Sequence, residues 1–143
     1  MSLTIKRSFI LDAISECSEE LGINEDDAFM YWFYSILFDI EPEDVPADEI
    51  VDGPGERQID LFRIEIDDSK QSVDIHLIQT KNTNGFSSNT VSLMKAGLDF
   101  IFSTRKSEYQ KIPNIKLVEK IENVRQLIRQ YGNNSINVHC YFV

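Results

Sequence analysis

Two strand-like runs joined by a short polar turn restrict most strongly how this chain can fold. Residues 57–66 and 72–81 alternate apolar and polar side chains, and residues 67–71 between them are polar. Because successive side chains of a strand point to opposite faces, each run has one apolar face. The spacing therefore predicts an antiparallel hairpin that packs its apolar face against other elements.

The apolar positions also predict the register of this hairpin. Apolar side chains meet when the strands pair Ile66 with Val73, Ile64 with Ile75 and Phe62 with Leu77. The same register places Asp60 opposite Gln79, with Lys81 two residues further along that face. Two interpretations of these polar groups are open. Asp60 and Lys81 form a salt bridge where the sheet meets water, or they belong to a site that binds a metal.

The rest of the pattern predicts helices around the hairpin. Gly22 is a stop signal, and Asn24 is the expected N-cap of the following helix. In chain order we expect helices over 5–21 and 25–38, a short strand at 49–51, the hairpin, helices over 90–103 and after Pro113, and a final strand over 136–143. The predicted fold class is α/β, a mixed sheet flanked by helices in the order α-α-β-β-β-α-α-β, in one domain spanning residues 1–143.

Charge is distributed unevenly along the chain. The net charge of −10 argues against a basic surface for nucleic acid. Residues 1–80 hold 5 basic and 20 acidic side chains, whereas residues 81–143 hold 9 basic and 4 acidic. Two interpretations are open. The fold could place carboxylates beside a phosphate-binding surface, or the two halves could form two separately solvated surfaces.

Several features bear on the location of the protein. No apolar run approaches the roughly 18–20 residues that span a bilayer, and the N-terminus lacks the apolar region of a signal peptide. Cys17 and Cys140 are too few and too far apart for a disulfide scaffold. We therefore expect a cytoplasmic protein with no membrane partner. The apolar strand that ends at Val143 predicts that these residues are the N-terminal part of a longer protein, whose C-terminal remainder would be a partner.

Short motifs around the hairpin are typical of one nuclease superfamily. GERQID at 55–60, the hairpin and IQTK at 78–81 resemble the PD-(D/E)XK, or restriction-endonuclease-like, superfamily. Asp60 matches the first motif, and Gln79-Thr80-Lys81 matches the second in its Gln form. An acidic helix start before Ala28-Phe29, and then Asp52-Gly53, extend a resemblance to the N-terminal region of abortive infection phage resistance (AIPR) proteins over about residues 25–104. The resemblance implies a restriction-endonuclease-like core.

The resemblance further implies a metal-dependent endonuclease of a phage-defence protein, with DNA favoured over RNA as the substrate. Asp60 and the side-chain carbonyl of Gln79 would ligate Mg²⁺ or Mn²⁺, with the backbone carbonyl of Thr80 as a third ligand. Lys81 would orient or deprotonate the attacking water and neutralise charge on the phosphorane. The catalytic residues implied are therefore Asp60, Gln79 and Lys81. Basic side chains that could contact the phosphate backbone are Arg57, Lys95, Arg105 and Lys106.

The chain also departs from the pattern of the superfamily. Gln79 is neutral where many relatives have a carboxylate, and Met30 occupies the position of a helical Glu. Asp27 is a weaker candidate for a metal ligand, since an acidic helix N-terminus explains it equally well. The alternative function is a catalytically inactive, nuclease-like interaction module. In that case helix 28–38 would dock the rest of a longer chain or a second copy, so a homodimer also stays open.

Overall fold

A computed structural model describes residues 3–51, 59–80, 95, 97–99, 101–102, 106–111 and 113–142. The described helices are α1 (Leu3–Leu21), α2 (Glu25–Phe38), α3 (Lys106–Tyr109) and α4 (Ile115–Tyr131). The strands are β1 (Leu61–Asp67), β2 (Ser72–Gln79) and β3 (Ile136–Phe142). Short 3₁₀ turns cover Pro42–Asp44, Ala47–Glu49 and Asn133–Ser135, and residues 95, 97–99 and 101–102 are helical.

The chain divides into two compact units. The first comprises Met1–Ala47 with Thr80–Asn82, and the second comprises Asp48–Gln79 with Thr83–Val143. None of the described helices is long and apolar enough to cross a bilayer. The mixed α/β class predicted from the sequence is confirmed.

The first unit is built on a helical hairpin. A connection of three residues, 22–24, joins α1 to α2, and Asn24 caps α2 as predicted. Its Oδ1 accepts a hydrogen bond from the Asp27 N–H at 2.8 Å. The core between the helices consists of the buried side chains of Ile14, Cys17, Ala28 and Phe29. Among the described side chains of α1, those of residues 8–12 are all exposed, and the ones in this core belong to its second half.

The second unit is a three-stranded sheet in the order β1-β2-β3. β1 pairs with β2 in the antiparallel direction, and β2 pairs with β3 in the parallel direction, so the sheet is mixed as predicted. The predicted strand at residues 49–51 is wrong. A 3₁₀ turn ends at Glu49, and only Ile50 forms a bridge, with Leu61. Pro46 and the acidic pair Asp48-Glu49 favour this turn, since proline fixes φ and Asp is a poor strand former.

One face of the sheet packs against α4. The buried core of this unit joins sheet residues Phe62, Val73, Ile75 and Leu77 to helix residues Leu117, Ile121 and Val124. α4 begins where Asn114 caps it: Oδ1 accepts from the Leu117 N–H at 3.1 Å, and Nδ2 donates to the Val51 carbonyl at 2.5 Å. It ends at Gly132, whose φ of 86° suits a residue without a Cβ.

The Arg125 side chain connects α4 to the helical segment at residues 101–102 through hydrogen bonds. Its Nε and Nη2 donate to the Ile101 carbonyl at 3.0 and 2.7 Å. The guanidinium also lies 4.7 Å from the centre of the Tyr109 ring, within the range of a cation–π contact. Sheet, helical segment and α4 therefore share one core.

Two isoleucines of the hairpin provide a test of this packing. Ile75 is fully buried, whereas Ile66 on β1 is 50% exposed. We expect Ile75→Ala to lower the free energy of unfolding by about 2–5 kcal/mol, and Ile66→Ala by less than about 1 kcal/mol. Urea unfolding followed by circular dichroism measures both variants. Equal losses for the two would contradict the packing of Ile75, and not of Ile66, in the core.

Candidate functional site

The observed register of the hairpin is the predicted one over the length of β1. Ile66 lies opposite Val73, Ile64 opposite Ile75 and Phe62 opposite Leu77. These pairs lie on the face that packs against α4. The apolar pattern was therefore sufficient to place the two strands relative to each other.

The ladder ends at Leu61, one residue after Asp60 in the chain, and does not include Asp60. Its last pair is Leu61 with Ile78, and the Asp60 N–H donates to the same Ile78 carbonyl at 2.9 Å. Two residues of one strand thus face one residue of the other, as at a β-bulge. The Asp60 carbonyl in turn accepts from the Val51 N–H at 2.9 Å. The direct pair between Asp60 and Gln79 is therefore absent from the ladder, although both residues lie at the same end of the hairpin.

Gln79 is the last residue of β2. Its side chain is buried, with the residue 4% exposed, and Oε1 is inaccessible to water. On its other side Gln79 pairs with Phe142 of β3. Thr80 follows directly in the chain and belongs to the first unit. Lys81 lies outside the described residues, so its predicted role as the catalytic lysine stays a prediction.

Asp27 lies in the first unit, in the first turn of α2. Its carboxylate accepts a hydrogen bond from Asn24 Nδ2 at 3.1 Å, and its N–H donates to Asn24 Oδ1. These reciprocal bonds give Asp27 a structural role at the helix start, where a carboxylate also suits the helix dipole. Its predicted role as a metal ligand stays a prediction.

The basic candidates for phosphate contacts are only partly described. Lys95 is helical and exposed, and Lys106 is the first residue of α3. Arg57 and Arg105 lie outside the described residues. The structure adds a groove of about 250 Å³ in the second unit, lined by Tyr109, Glu122, Arg125, Gln126 and Arg129. Within it Arg125 is held by the Ile101 carbonyl, while Arg129 is exposed.

All three donors predicted for Mg²⁺ lie in the described part of the chain. Within it, no three or more His, Cys, Asp or Glu side chains are grouped so that they could hold a metal ion. The predicted set of ligands is not such a group, since it contains one carboxylate, one amide oxygen and one backbone carbonyl. Asp60 is partly buried and Gln79 Oε1 is buried at the same end of the hairpin. Oxygen donors of these types fit Mg²⁺, which retains several of its waters.

The opposite face of the sheet carries a polar cluster that the sequence did not predict. The rings of His76 and His139 stack with their centres 4.8 Å apart. His76 Nε2 donates to Glu65 Oε1 at 2.7 Å, and His139 Nε2 donates to Asp74 Oδ1 at 3.0 Å. Because a carboxylate only accepts, the Nδ1 of neutral His76 is the acceptor for the Tyr141 hydroxyl, 3.0 Å away.

This cluster depends on a contact between residues far apart in the chain. β2 and β3 place His76 directly beside His139, 63 positions later. The signal in the sequence was the polar side chains at alternate positions of both strands, Asp74 and His76 in one and Asn137 and His139 in the other. That signal does not show which strand lies next to which, so it does not predict the contact between the two histidines.

Comparison of the chain with protein families, curated proteins and solved structures gives no match. The resemblance to the PD-(D/E)XK superfamily and to AIPR proteins therefore stays a prediction.

The cluster predicts a dependence of stability on pH. Burial lowers the pKa of His76 below its ordinary value of 6.5, with Glu65 opposing and His139 adding to the shift. The unfolded chain therefore binds a proton more readily than the folded one as the pH falls below 6.5, and the folded state loses stability. We expect the unfolding free energy of the wild type to fall between about pH 7.5 and about pH 5.5. His76→Gln, which does not titrate, should show a shallower fall in urea unfolding. Parallel curves would contradict this role of His76.

Proposed function

We propose that this chain carries the site of a metal-dependent nuclease that hydrolyses phosphodiester bonds, with DNA favoured over RNA as the substrate. The proposal rests on the hairpin: its register agrees with the prediction, and the Asp60 N–H bonds to Ile78, the neighbour of Gln79. This brings the first motif and the start of the second to one end of the same sheet. We also propose that the chain is part of a phage-defence protein. This part of the proposal derives from the resemblance of the sequence to AIPR proteins.

The residue types suit this chemistry. A bound divalent cation would supply charge that offsets the negative charge developing on the phosphate. Asp60 and Gln79 would hold it through a carboxylate and an amide oxygen, with the Thr80 carbonyl as a further ligand. Lys81 would orient the attacking water, accept its proton or stabilise the phosphorane. Lys95, Lys106, Arg57 and Arg105 would contact the substrate backbone.

The sheet supports this arrangement through its rigidity near the proposed ligands. Gln79 ends a strand that is hydrogen-bonded on both sides, to β1 and to β3. Asp60 is held through its backbone on both sides, to Ile78 and to Val51. Side chains fixed on paired strands keep a metal site close to its working geometry.

Metal binding can be tested by calorimetric titration of Mn²⁺ into the wild type and into Asp60→Asn. We expect binding by the wild type and its loss in the variant, because the substitution removes the only carboxylate in the proposed set of ligands. Asp68→Asn is the matched control, since Asp68 lies in the turn at the other end of the hairpin. Equal binding by Asp60→Asn would place the metal elsewhere. Absence of binding by the wild type would contradict the nuclease and leave the non-catalytic module as the alternative.

Cleavage is the second test. We expect Lys81→Ala to lower the rate of hydrolysis of single- or double-stranded DNA by about 10²–10⁴-fold, the usual contribution of an acid–base group. Asp60→Ala should abolish cleavage. Lys70→Ala is the control, because Lys70 is an exposed lysine in the turn of the same hairpin. Cleavage by Lys81→Ala at the rate of the control would overturn the role assigned to Lys81.

A further inference from the structure

The first unit exposes apolar side chains at the open end of its helical hairpin. Phe9 is 75% exposed and Ile36 is 59% exposed, and Ile10 and Leu11 are exposed as well. Ile10 lies 11 residues before the end of α1, and Ile36 lies 11 residues after the start of α2. At about 1.5 Å per residue, both are therefore about 17 Å from the connecting turn. In a helical hairpin these positions lie at the same level, so the exposed side chains of both helices lie toward the open end, which we call the apolar end.

The charge near this apolar end in the chain is predominantly negative, with Lys6 and Arg7 at the start of α1 as the basic residues before Phe9. Residues 8–56 contain 15 Asp or Glu and not a single Lys, Arg or His. Five exposed carboxylates lie near the open end in the chain: Asp12, Asp39, Glu41, Glu43 and Asp44. An apolar surface with a large excess of negative charge beside it favours an apolar partner of the opposite sign.

The end of α2 adds a second reason for a positive partner. A helix carries partial negative charge at its C-terminus, which basic side chains in the last turn usually neutralise. The last turn of α2 has none, and its C-cap is Asp39, in the left-handed conformation with φ 55°. The Ile36 side chain is exposed one turn before this cap. Negative potential from side chains and from the helix itself therefore coincides with the apolar end.

We propose that the open end of the α1–α2 hairpin is a docking surface for a basic amphipathic helix of another protein. Such a helix presents leucine-like side chains on one face and Lys or Arg on the rest, and it complements both the apolar side chains and the charge. A second copy of this chain would bring another predominantly acidic segment against the first, since residues 3–47 hold 11 Asp or Glu and two basic residues; like-charge repulsion disfavours this. The docking surface shares no residue with the proposed nuclease site, so either proposal can fail without the other.

A designed peptide probes this surface. It has about 18 residues, all leucine or lysine, with the leucines at helical spacing. A peptide of the same composition with strict alternation has no apolar helical face, and a leucine–glutamate peptide reverses the charge. Fluorescence anisotropy of each labelled peptide, titrated with the full chain, measures binding. We expect the chain to bind the leucine–lysine peptide with helical spacing and neither of the other two. This binding should weaken as salt is added.

Matched substitutions locate the binding. We expect Phe9→Ser with Leu11→Ser to weaken binding by about tenfold or more, because two buried apolar contacts are lost. Ile66→Ser with Ile115→Ser removes two exposed apolar side chains of the second unit and should leave binding unchanged. Asp39→Asn with Glu41→Gln keeps the apolar side chains and should also weaken binding. Its control is Glu108→Gln with Glu119→Gln, which removes the same charge from the second unit.

Three outcomes would overturn the proposal. Equal affinity for the alternating peptide would show that charge alone attracts it. Equal effects of the test and control pairs would place binding outside the hairpin. Sedimentation that shows a dimer of the wild type, lost in Phe9→Ser with Leu11→Ser, would show that a second copy covers this surface. If circular dichroism shows that Phe9→Ser with Leu11→Ser has altered the fold, the variant Asp39→Asn with Glu41→Gln still tests the proposal.

Discussion

The structure of the second unit depends on β2, which is hydrogen-bonded to a neighbour on each side. Val73, Ile75 and Leu77 of this strand are fully buried against α4, and Ile78 on the opposite face is fully buried as well. A strand covered on both faces and paired on both edges has little freedom to shift, since a slip of one residue would move its apolar side chains out of the core. The positions of β1, β3, Asp60 and Gln79 all follow from the register of this one strand.

Local patterns in the sequence predicted much of this architecture. The N-cap at Asn24, the hairpin register and the helix after Pro113 depend on residues close together in the chain, where periodicity and capping preferences act directly. The strand predicted at 49–51 failed for a related reason. Its three residues carried no alternation of their own, and the turn preferences of the preceding residues prevailed.

Contacts between distant residues could not be predicted in this way. The stack of His76 on His139 requires knowing that β3 lies beside β2, and the bond from Asn114 to Val51 requires knowing where α4 crosses the sheet. At Asp60 the predicted pairing assumed a regular ladder, whereas the backbone changes partner there. Apolar periodicity fixes the regular part of a strand and gives no information about its irregular end. The predicted metal ligands Asp60 and Gln79 lie at that irregular end.

The two pairings of β2 also differ in the length of chain that separates the partners. Ser72 and Asp67 are five residues apart, whereas Val73 and Ile136 are 63 apart. The entropy lost on closing a loop rises with its length, and contacts between distant residues slow folding. We therefore expect the hairpin to form early in folding and β3 to add late, once α4 has packed. Among the described strands β3 pairs along one edge, with β2, and in the native state we expect it to separate first from the sheet.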